Sequence, residues 1–109
     1  MFEALLGSVN KERVLFFIAA REEGYAREIA RFYATDLAPV QKQLEALERG
    51  GILASRLAGR TRLYVFDPRY PLLDELKALL AKAMTFYPVE EQERLMMTRQ
   101  RPRRAGKPL

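Results

Sequence analysis

The sequence predicts a mainly helical domain carrying one small β-hairpin, an α+β fold, and three observations lead there. Apolar residues recur at spacings of three and four along 26–34, 36–49 and 71–87, the period of an amphipathic helix, and a continuous apolar run fills 14–20. Between residues 52 and 67 the period changes to two, on either side of Gly59, Arg60 and Thr61, as in two short antiparallel strands. The chain has 109 residues and is 49% hydrophobic, enough for a single core that needs no cross-links.

The first helix is expected from Asn10 to about Glu23. Asn accepts hydrogen bonds from the free amides of a first turn, and Gly24 supplies a stop. Its run from Val14 to Ala20 covers most of the helix circumference, so two contacts are expected, the domain core and a second subunit; the alternative is a central helix wrapped by its own domain. A short second helix, Ala26 to about Ala34, puts Ile29, Ala30 and Tyr33 on one face, and Thr35 and Asp36 follow as turn and cap. From Asp36 to about Arg49 a third helix gathers Leu37, Val40, Leu44 and Leu47 into one stripe. Pro39 is tolerated there because a first-turn amide has no intrahelical partner, and Gly50 and Gly51 end the helix.

The hairpin is expected over Ile52–Ala58 and Arg62–Asp67, closed by Pro68 and Pro71. A helix starting near Pro71 carries Leu72, Leu76, Leu79, Leu80 and Ala83 among others, and its broad apolar face again calls for a partner. Pro88 interrupts it, and one further short helix is expected within 89–98. The expected organisation is one domain over 1–98 and a basic tail over 99–109, too polar to order itself.

Composition excludes several kinds of chemistry. With neither cysteine nor histidine, the chain has no disulfide, no thiolate nucleophile and none of the commonest general bases or metal ligands; its acids are scattered along charged faces without a glycine-rich phosphate loop. No enzyme activity, cofactor or metal is therefore expected. The longest apolar run is seven residues, flanked by Arg13 and Arg21, and the first ten residues include Glu3 and no base. Neither a membrane span nor a secretory signal is expected, and the expected location is the cytoplasm.

The net charge of +5 is unevenly placed. Five bases and no acid lie in 99–109, which leaves fourteen bases against fourteen acids in 1–98; within that neutral body, 24–70 holds eight bases and five acids. Such a pattern suggests a basic working surface in the middle of the chain, between acidic flanks that avoid phosphate.

The order helix, helix, turn, helix, hairpin, helix over about 8–87 resembles the winged helix-turn-helix regulators of the ArsR-like and MarR-like kind. The residues that carry the resemblance are Ala26-Arg27-Glu28-Ile29-Ala30, the segment from Val40 through Leu44 and Leu47 to Gly51-Ile52-Leu53, and the hairpin end Tyr64-Val65-Phe66. The resemblance implies a homodimer on double-stranded DNA, joined through 10–23 and 71–87, with the third helix in the major groove. ArsR-like proteins commonly have Ser-x-His-Leu where Gln41-Lys42-Gln43-Leu44 stands here, which implies a different operator, and often have glycine where Ala34 stands. The absence of Cys and His separates the chain from metal-sensing members.

The candidate DNA contacts follow from the same geometry. Ala38, Pro39, Lys42, Glu45 and Arg49 lie opposite the apolar stripe of the third helix; Ala38 and Pro39 allow close approach and Lys42 reaches phosphate or guanine, while Gln41 and Gln43 on the shoulders can pair with adenine. Thr35 stands in the turn before this helix. Arg60 at the hairpin tip, with Arg56 and Arg62 on the strands, can follow a backbone or enter a minor groove, and Arg27 and Arg31 can clamp phosphates from the second helix. The competing readings are a winged-helix protein-docking module and a nonspecific nucleic-acid binder dominated by its tail. No effector site is visible in the sequence.

Overall fold

Ser8, two residues before Asn10, caps the first long helix. Its backbone is extended and its hydroxyl accepts the Lys11 amide at 3.1 Å, whereas the Asn10 side chain accepts a hydrogen bond from Arg13. The structure, a computed structural model, describes residues 2–96. Its elements are α1 (Glu3–Leu6), α2 (Val9–Arg21), α3 (Ala26–Phe32), α4 (Leu37–Arg49), β1 (Leu53–Ala58), β2 (Thr61–Phe66) and α5 (Leu73–Met84), with a further helical segment, α6, over 89–96. The expected mainly helical α+β fold is the one found.

α2 is the central helix. Val14, Leu15, Phe16, Phe17 and Ile18 are each at most 3% exposed, because α1, α3, α4, α5 and β2 surround them. The chain's own elements wrap this run, so the breadth of its apolar surface is accounted for within one chain, the second of the two expected arrangements. Burial of each large side chain contributes about 1.5–3 kcal/mol, so this run is the main apolar anchor of the fold. α1 was not foreseen from the sequence; Phe2 stacks on Phe16 with ring centroids 5.8 Å apart, and the Phe2 amide donates to the buried Glu12 carboxylate at 3.0 Å.

α2 ends at the cap residue Glu22, whose amide still donates to the Ile18 carbonyl at 2.7 Å while its left-handed backbone (φ 75°) turns the chain out of the helix. Gly24, expected as the stop, has a different task. It exchanges two backbone hydrogen bonds with Tyr64 (3.1 and 2.8 Å), and a Cβ there would lie 2.9 Å from the Phe17 ring. The hairpin is thereby held directly against the α2–α3 junction.

β1 and β2 pair antiparallel from Leu53↔Phe66 to Ala58↔Thr61, so the turn is the two residues Gly59 and Arg60, with Gly59 at φ 67°. Leu53 and Tyr64, on one face, are buried against the helices. Beyond Pro88, α6 returns to the α2–α3 side. Leu95 is buried, Arg21 donates from Nε to the Leu95 carbonyl at 3.0 Å, and the Phe32 ring lies between the guanidinium groups of Arg21 (4.7 Å) and Arg94 (3.9 Å).

Candidate nucleic-acid interface

α4 shows why a helix can be gripped on one side and offered on the other. Val40, Leu44 and Leu47 are buried against α2 and α3, while Ala38, Pro39, Gln41, Lys42, Glu45 and Arg49 are exposed. The wheel read from the sequence is the one observed, and Gln43 and Thr35 are half-buried at its margins. The turn into α4 is set by Ala34, which adopts a left-handed conformation (φ 52°), and by the Thr35 amide donating to the Ala30 carbonyl at 2.9 Å. Asp36, extended, then precedes the first helical residue.

A cleft of about 510 Å³ opens between the exposed side of α4, the start of α3 and the hairpin. Arg27, Gln41, Glu45, Arg60 and Arg62 line it, with Tyr64 and Leu37 among the other lining residues. Arg27, Arg60 and Gln41 make no hydrogen bond or ion pair among the described residues. Burial first, and then the negative charges of Glu48 and Glu45, push the Tyr64 phenol above its ordinary pKa, so Tyr64 meets any ligand as a neutral hydroxyl.

The three hairpin arginines do not act alike. In the observed register Arg56 stands opposite Leu63 and Arg62 opposite Leu57, which places Arg56 and Arg62 on opposite faces. Arg56 lies 3.8 Å from Glu23, an exposed pair, and is outside the cleft. Arg62 is on the cleft side, where Nη1 donates to Ser55 Oγ at 3.0 Å and Ser55 in turn donates to Glu48 at 2.7 Å. Arg60 projects from the tip. Arg31 and Lys42 are exposed but do not line the cleft. Glu45, which the sequence reading did not assign, stands in the cleft one helical turn after Gln41; the i, i+4 spacing was the signal that could have found it.

Among the described residues, no group of three metal-ligating side chains comes together, and no helix is long and apolar enough to cross a membrane. The basic tail from Arg99 onward, and Met97 and Thr98 before it, lie outside the described residues.

A helical core in which the half-exposed α4 lies beside a two-stranded hairpin is a winged helix-turn-helix. Its likeness to solved structures agrees: reduced HlyU from Vibrio cholerae N16961 superposes with a TM-score of 0.60 over 77% of this chain and 82% of that one, at 15% identity. At that identity the likeness carries the fold. No protein-family model matches the sequence, and no curated protein matches it as a relative.

Proposed function

We propose that this chain is a sequence-reading transcriptional regulator that binds double-stranded DNA in the cytoplasm as a homodimer, with α4 in the major groove and the hairpin as the wing on the adjacent backbone or minor groove. The observation that carries this reading is the cleft itself: the unpaired cations Arg27 and Arg60 flank a helix face whose Gln41 is unengaged. Cations without an acid partner are available to displace counterions from phosphate, and a polar helix face between them is available for base edges. The likeness to HlyU supports the fold on which this reading rests. Lys42 and Arg31, exposed on α4 and α3, and Arg62 beside the cleft extend the same surface; Ala38 and Pro39 leave room for the duplex.

The case for a dimer rests on α5 rather than on α2. Leu79 on α5 is 43% exposed, and Leu72 and Phe86, just beyond its two ends, are 56% and 64% exposed, so large apolar side chains on and beside this helix are left uncovered by the chain's described elements. A twofold contact through this helix would present two α4 helices to successive turns of one DNA face. Sedimentation tests it: the wild type should be a dimer at micromolar concentration and Leu79→Glu a monomer, whereas a monomeric wild type would remove the dimer from the proposal.

DNA binding is tested by anisotropy on labelled duplexes. Arg60→Ala should weaken binding to all sequences alike and lower the salt slope by about one, while Gln41→Ala should cost affinity for the preferred site and spare the others. Indifference to both would favour a protein-docking module. Dependence on residues 99–109 alone would favour a nonspecific binder.

A further inference from the structure

Glu45 is out of place in a surface built to approach phosphate. It is exposed, lines the cleft together with Arg27, Arg60 and Arg62, and makes no hydrogen bond or ion pair among the described residues, not even with Lys42 or Arg49 on its own helix. Its neighbour one turn on, Glu48, has a structural partner in Ser55; Glu45 has none. A carboxylate at this place repels the DNA backbone and lowers affinity for every sequence equally, unless it accepts a hydrogen bond from the duplex. Base edges offer one such donor in the major groove that a carboxylate matches well, the exocyclic N4 amine of cytosine.

We propose that Glu45 is a specificity-determining residue that reads cytosine, acting with Gln41 one turn earlier on the same face of α4. The inference rests on the major-groove reading given above. Four residues of helix rise about 6 Å, close to two base-pair steps of about 3.4 Å, so the cytosine read by Glu45 should lie about two steps from the base pair contacted by Gln41. The carboxylate then works by exclusion as well as attraction. Opposite a guanine or thymine edge at that position it would face acceptors, and the two desolvated groups would repel.

The test is selection of bound duplexes from a random pool by the full chain, carried out in parallel for wild type, Glu45→Ala, Glu45→Gln and Gln41→Ala. The wild type should enrich a motif containing one position restricted to C, where a mismatch costs about tenfold in affinity. Glu45→Ala should lose that restriction at that position alone, and Glu45→Gln should move it toward A, since glutamine pairs with the adenine edge. Gln41→Ala should relax a different position, about two base pairs away. Both Glu45 variants should also bind unrelated DNA more tightly than the wild type.

If the wild type enriches a motif that Glu45→Ala leaves unchanged at every position, Glu45 is a charge on the rim and the proposal is overturned while the DNA-reading function stands. If the wild type enriches nothing, the function itself fails and this inference fails with it. Glu45 is exposed on a helix that packs through other residues, so its variants retain the fold, and the two substitutions check each other.

Discussion

Ser55 in β1 donates its hydroxyl hydrogen to Glu48 in the last turn of α4, across 2.7 Å, and so fastens the wing to the helix beside it. Arg62 in β2 donates to the Ser55 Oγ in turn and so ties the two strands together at that point. The Ser55–Glu48 bond thus adds to the Gly24–Tyr64 backbone pair and the buried Leu53 and Tyr64 in holding the hairpin on the helices. Ser55→Ala should lower stability by about 1 kcal/mol, the cost typical of one lost charge-assisted hydrogen bond at a half-exposed site. Chemical denaturation measures it, and the amides of β1 and β2 should exchange hydrogen faster than those of α4.

Gly24 is a contact point. Any Cβ there meets the buried Phe17 ring at 2.9 Å and Ile29 at 3.3 Å, with the paired Tyr64 backbone behind it. Gly24→Ala should therefore destabilise the protein by about 1–3 kcal/mol, as overpacking of a filled core does, and thermal melting should show a midpoint several degrees lower.

Ala34 presents the opposite case. Its left-handed backbone places its Cβ in conflict with the main chain, a cost of about 1–2 kcal/mol, and its side chain is exposed. Ala34→Gly relieves that strain and gives part of it back through the freer unfolded chain. The expected net gain is about 0.5–1 kcal/mol, read as a raised melting temperature with the turn geometry unchanged.

Asp67 closes the hairpin onto α5. Its carboxylate accepts from the Arg69 amide (2.9 Å), Nε (3.1 Å) and Nη2 (3.1 Å), and these hydrogen bonds to the Arg69 side chain and backbone hold its pKa below the ordinary aspartate value. A carboxylate with a lowered folded-state pKa contributes stability that is present above its unfolded pKa and is lost as pH falls through the folded one. Melting temperature should therefore decline in acid below the ordinary aspartate range. Asp67→Asn should melt lower at neutral pH and show a shallower decline there.

Much of the fold was legible because the pattern and the packing agree. The stripe Leu37, Val40, Leu44 and Leu47, stopped by two glycines, located α4 within a residue, and the same wheel identified its exposed face. Four features were hidden for physical reasons. α1 is four residues long and is held by Phe2 and Glu12, contacts that no local pattern encodes. The breadth of α2 looked like two interfaces, yet a central helix in a small domain meets neighbours on every side. The faces of Arg56 and Arg62 depend on Thr61 pairing with Ala58, and the sequence reading had placed Thr61 in the turn. Glu45 was seen as exposed but not as part of a cleft, because its meaning comes from the wing folded beside it.

Selection of bound duplexes from a random pool by the unmodified chain at near-physiological salt tests the central claim most directly. The account predicts an enriched inverted repeat with half-sites about one helical turn apart, the signature of two α4 helices reading one DNA face. Recovery of DNA with no enriched motif would contradict it.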